Sequence, residues 1–238
     1  MKKFLAFAVA TFSLVTAAQA SLLGRNVNGG AVAAGDPSTV FLYDTTLNVT
    51  WLADANLAAT EDFGVRFIDL TGYTDADSAL KWIGAMNAAD YLGFNDWRLP
   101  NTLQPDSSCV KQGTRIYFLN CSGSEMGHLF YNELGGVANQ DIATTHNANY
   151  SLFKNFQSQG FVYWSGTTTA VSQGRGSTWE FDFGKGSQFS GSNGNGAFML
   201  AVRPGDVLAA VPEPSTYALM LAGLAVLGAG AATRRKAS

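Results

Sequence analysis

The stretch Gly93-Phe94-Asn95-Asp96-Trp97-Arg98-Leu99-Pro100-Asn101 puts aromatic, acidic, basic and proline side chains into one turn. Pro100 has no N–H to donate and bars further helix, while Trp97 and Leu99 have the bulk of core residues. Asp96 and Arg98 are then expected to brace the turn. Just upstream, Thr74 and Asp77 have the spacing of a capping box, and Leu80, Ile83, Asn87 and Tyr91 recur on one helical face until Gly93 supplies a stop. The turn therefore closes a helix.

Reading outward, a second helix is predicted from Ser122, with Glu125 three residues on, Met126, Leu129, Phe130 and Leu134 on one face, and Gly135-Gly136 as its end. Before the first helix, Phe41–Asp44 and Asn48–Leu52 are β-prone runs around a polar turn, as in a hairpin. Beyond Tyr150 the chain turns rich in aromatic, Gly, Ser and Thr residues. Strands are expected over Phe161–Trp164, Trp179–Phe183, Ser187–Phe189 and Ala197–Val202. Two helices followed by short strands define an α+β class rather than βαβ repeats. In Trp179-Glu180-Phe181-Asp182-Phe183 the two-residue period puts the aromatics on one face and both acids on the other, which is read as the wet face.

The ends carry addresses rather than fold. Met1-Lys2-Lys3, an apolar run to Ala17 and Ala18-Gln19-Ala20 make residues 1–20 a signal peptide cut between Ala20 and Ser21. Residues 21–39, without periodicity, are expected to form a poorly ordered lead-in. At the other end come Pro212-Glu213-Pro214, an apolar run from Tyr217 to Ala232, and Arg234-Arg235-Lys236. The run sits at the short edge of the roughly 17–25 residues that cross a hydrocarbon core. This order over 211–236 resembles the PEP-CTERM sorting signal. The resemblance implies a substrate of an exosortase-type membrane protease in Gram-negative bacteria that make exopolysaccharide. It also implies transient membrane anchoring by the C-terminal helix, then placement at the cell surface or in the extracellular matrix.

Removing both ends leaves one domain, 40–206, behind its lead-in. Without Lys2, Lys3, Arg234, Arg235, Lys236 and Glu213, ten bases face seventeen acids, a net charge of −7. Such a balance argues against nucleic acid and anionic membranes as partners. The only cysteines, Cys109 and Cys121, sit in a turn-rich stretch of an exported chain and are expected to pair as a disulfide.

Together with Trp51-Leu52-Ala53-Asp54-Ala55-Asn56 upstream, and Tyr163-Trp164-Ser165-Gly166-Thr167, Trp179, Phe183-Gly184 and Val202-Arg203 downstream, the 93–101 string resembles the Lcl C-terminal-domain-like family. The resemblance covers roughly Val40 to Asp206 and implies a divergent C-type-lectin-like fold with an adhesion or polysaccharide-binding role. It offers no catalytic set. Asp96, Trp97, Arg98, Leu99, Pro100, Tyr163, Trp164 and Arg203 carry it, and all are read as structural.

Glu180 and Asp182 invite a glycosidase reading, but such acids flank a cleft from separate elements. His128 and His146 fit no metalloprotease pattern, no G-x-S-x-G supplies a serine nucleophile, and no metal site is predicted. Calcium is the one cofactor left open, through Asn95-Asp96, Asp75-x-Asp77 and Glu180-x-Asp182, none of which completes a calcium loop. Tyr150, Phe153, Phe156, Phe161, Tyr163 and Trp164 lie among amide and hydroxyl residues suited to sugar recognition. The expectation is a non-enzymatic surface or matrix binding protein. Two alternatives stand beside it: a secreted enzyme with an unrecognised acidic site, and a purely structural matrix or ice-surface component.

Overall fold

A computed structural model describes residues 22–33, 35–113, 117–172 and 175–207. The signal peptide with its Ala20–Ser21 cleavage pair lies outside the described residues, as do Pro212-Glu213-Pro214, the apolar run and the basic tail. No helix among the described residues is long and apolar enough to cross a membrane. In chain order the strands are β1 (Leu22–Arg25), β2 (Ala31–Val32), β3 (Phe41–Asp44), β4 (Val49–Leu52), β5 (Val110–Lys111), β6 (Phe118–Leu119), β7 (Val162–Ser172), β8 (Arg175–Asp182), β9 (Ser187–Ser192) and β10 (Val202–Pro204). The α-helices are α1 (Ala76–Ala88) and α2 (Glu125–His128). Two antiparallel sheets result, ordered β10-β4-β3-β1-β2 and β5-β6-β9-β8-β7. Strands far outnumber helices, and the class is α+β.

The described part of the lead-in, 22–33 and 35–39, is not a loose tether. β1 pairs with β3 from Leu22↔Asp44 to Arg25↔Phe41, and β2 adds the sheet edge. Arg25 is buried and its guanidinium lies 2.7 Å from Asp206. Strands of two to four residues carry too little alternation to be recognised alone; here the free edge of β3 supplies the partner.

Sheet alternation explains two cores rather than one. Phe41 pairs with Leu52 and Leu42 with Trp51, so successive residues point to opposite faces. Phe41 and Leu52 meet α1 through Trp82 and Met86. Leu42 and Trp51 meet Met126, Leu129 and Phe130. With both faces covered, β4 is buried at every position. The strap Ala197–Val202 threads between the sheets: Phe198, Leu200 and Val202 enter one core, and Ala197, Met199 and Ala201 the other.

Both helices differ in detail from the sequence expectation. The cap of α1 is Asp75, whose carboxylate accepts from Ser78 N at 2.7 Å, whereas the Thr74 hydroxyl donates to Phe67 O. Its buried face is Ala76, Ala79, Trp82, Ile83 and Met86, and Leu80 is 51 % exposed. Small alanines let Trp82 approach the sheet, an effect the 80/83/87/91 pattern missed. The helix ends at Ala88, and Gly93, at φ 84°, belongs to a separate one-turn 3-10 segment. The second helix starts after Ser124, not Ser122. It is one turn long and continues as a π-helical turn, Leu129–Glu133, closed by Leu134 N donating to Leu129 O.

Candidate functional site

The 93–101 turn is braced by both charged residues, as expected. Arg203 holds Asp96 through two nitrogens at 2.7 and 2.9 Å and lies over the Phe94 ring at 4.0 Å. Arg98 forks onto Glu125 at 2.6 and 2.7 Å, and the same carboxylate accepts from Asn101 N at 2.7 Å. Trp97 and Leu99 are buried. The Pro100 carbonyl accepts from Gly166 N and the Ser165 hydroxyl, seating the turn on β7. Tyr163 and Trp164 are fully buried on opposite faces of β7; Trp164 Nε1 donates to Thr74 O and Gln157 N donates to Tyr163 Oη. The motif residues thus build the scaffold. Of the aromatics considered for sugar contact, Phe153 is also buried, Tyr150 and Phe156 pack against the core, and Phe161 stays exposed.

A groove lies elsewhere, against the β5–β6 hairpin. Cys109 and Cys121 are bonded across the β5–β6 hairpin, and β6 pairs with β9. Between this hairpin and the β8–β9 turn opens a groove of about 370 Å³ lined by Gln112, Tyr117, Leu119, Asn139, Lys185 and Ser187. Tyr117 is 38 % exposed and rests edge-on against Phe189, ring centres 4.9 Å apart. Asn139 N donates to Lys185 O, tying the facing wall to the β8–β9 turn. An aromatic face beside amide, hydroxyl and ammonium groups can stack on sugar C–H faces while bonding hydroxyls. Sequence reasoning missed these residues because they come from four separate segments. The signal available was an aromatic inside the loop closed by the two cysteines.

Glu180 and Asp182 do share a face, but it is not wet. Glu180 is 2 % exposed, its Oε1 accepts no hydrogen bond, and a Cβ on Gly191 would collide with its carboxylate. Burial pushes the Glu180 carboxyl up to about 7. Asp182 is buried too and is raised by the same cause, opposed by Lys185 and by Gly184 N, which donates to its Oδ1. The error arose because two-residue alternation says which residues share a face, not what covers it. Of the acids weighed for calcium, Asp75 caps α1 and Asp96 is held by Arg203.

The histidines part company. His146 is exposed and stacks on Tyr150. His128 is buried, with Nε2 3.0 Å from Glu133 Oε1 and 3.7 Å from Asp44 Oδ2. Burial alone would lower the His128 pKa, but the Glu133 hydrogen bond and the charges of Asp44 and Glu133 hold it above the ordinary value. Desolvation raises Asp44. This cluster was not foreseen, since residues 44, 128 and 133 match no ligand spacing.

Fold and bridged hairpin describe a disulfide-stabilised α+β domain. Residues 40–203 match the Lcl C-terminal domain, and the chain belongs to that family. Residues 210–236 match the PEP-CTERM protein-sorting motif, which implies export, membrane-associated sorting and processing by exosortase. Neither a curated protein nor a solved structure matches the chain.

Proposed function

We propose that this chain is a surface or extracellular-matrix protein whose domain, C-type-lectin-like in kind, binds polysaccharide without catalysing a reaction on it. The observation that carries the reading is the groove between the β5–β6 hairpin and the β8–β9 turn, with Tyr117 as a stacking platform and Gln112, Asn139, Lys185 and Ser187 as hydrogen-bonding partners. The sorting motif supports it from a different direction, because it delivers the groove to the side of the membrane where polysaccharide lies. Lys185, with a side chain 64 % exposed, favours glycans that bear carboxylate or sulfate. The test is binding of the exported protein to a glycan array with calcium and with a chelator, alongside Tyr117→Ala and Lys185→Ala. Selective binding that falls at least about tenfold in Tyr117→Ala is expected. Binding to no glycan, or wild-type binding by both variants, would overturn the assignment.

One observation favours a second reading, a secreted enzyme with an acidic site: Glu180 has a carboxyl pKa near neutrality. Its carboxylate is packed against Gly191 rather than presented to a groove, and general acids must reach substrate. Hydrolysis of an array glycan by the wild type, lost in Glu180→Gln, would support the enzyme.

A further inference from the structure

We propose that Asp44, His128 and Glu133 form a buried binding site for a zinc-class divalent cation that fastens the β3–β4 turn to the α2 region. Three features carry it. First, the set is chemically suited: one imidazole nitrogen and two carboxylate oxygens are the ligands zinc accepts, whereas calcium asks for six to eight oxygens. Second, the spacing fits. Zinc bonds of ~2.0–2.2 Å in tetrahedral geometry set ligand atoms about 3.3–3.6 Å apart. Here Nε2 lies 3.0 Å from Glu133 Oε1 and 3.7 Å from Asp44 Oδ2, and all three atoms fall within 4.8 Å of one another.

Third, each ligand is held in place by its own element, and one atom lacks a partner. Asp44 is fully buried; its Oδ1 accepts from Thr46 N and Leu47 N at 2.9 Å, leaving Oδ2 to face His128 without accepting a hydrogen bond. A buried carboxylate oxygen without a donor is costly, and a cation would satisfy it. His128 and Glu133 are five apart, a spacing that an α-helix turns to different faces. The π-helical turn brings them together, and such single turns are frequent at functional sites. The side-chain amides of Asn147 and Asn149 both donate to Glu133 O, fixing the end of that turn.

The bound ion would link two segments far apart in sequence and so stabilise the domain through binding to the folded state alone. The full chain, stripped with EDTA, would be titrated with zinc chloride against a competing chelator, with magnesium and calcium chlorides as controls. One zinc per chain is expected, with a thermal midpoint that climbs with zinc and not with the controls. Asp44→Asn and Glu133→Gln should each weaken binding at least about tenfold. Should those variants fail to fold, His146→Gln, a surface change, leaves His128 as the only imidazole in the chain. Its ring resonances must then shift on adding zinc. Unmoved resonances, or unaltered zinc affinity in folded Asp44→Asn, would overturn the site.

Discussion

Glu180 shows how a single buried residue imposes a pH dependence on the whole domain. Its carboxyl is raised from 4.5 to about 7, so the folded state holds the proton more tightly than the unfolded state. Stability from this group is fully present below pH 4.5 and is lost as pH climbs from about 4.5 to 7, because the unfolded chain ionises freely in water over that range while the dry site still holds its proton. Glu180→Gln, which keeps the neutral shape, should match the wild type at pH 4 and exceed it by about 1–3 kcal/mol at pH 8 in urea unfolding. A difference independent of pH would mean that Glu180 is solvated. Its pairing across β8 with Trp164 and Phe189 follows from the strand register. Its burial does not, because strand pairing fixes a residue's neighbours within the sheet and not what packs over that face.

Among the elements, α2 is constrained from outside. A glycine in a helix ordinarily gains about 1 kcal/mol on change to alanine. At Gly127 the sign should reverse, because a Cβ would meet the backbone carbonyl of Cys121, which cannot swing aside like a long side chain. Gly127→Ala is expected to cost about 1–3 kcal/mol, measured as a lower urea midpoint at unchanged slope. The neighbouring hairpin depends on its covalent clip. Cys109→Ser with Cys121→Ser should cost about 2–4 kcal/mol by freeing the unfolded chain, and reductant should destabilise the wild type by a similar amount. Wild-type unfolding that ignores reductant would contradict this. The pairing was legible from the exported ends and the cysteine count; the single-turn length of α2 and its π-turn were not, since hydrophobic spacing does not report hydrogen-bond offset.

For the whole molecule, the strap Ala197–Val202 forbids independent halves. Leu200→Ala should lower stability by about 2–5 kcal/mol and shift one calorimetric transition, with van't Hoff and calorimetric enthalpies equal, because alternate strap residues serve both cores. Two resolved transitions would show that the cores unfold separately. The sorting motif, the α+β class, the disulfide and the braced 93–101 turn could be read along the chain, because each rests on local order, composition or spacing that survives in one dimension. Three-dimensional packing was needed to show that the lead-in carries strands, that Glu180 is dry, that Tyr117 lines a groove, and that Asp44, His128 and Glu133 converge. Those facts depend on what covers or faces a residue from distant parts of the chain, and alternation along a strand or helix carries no record of its neighbours in space.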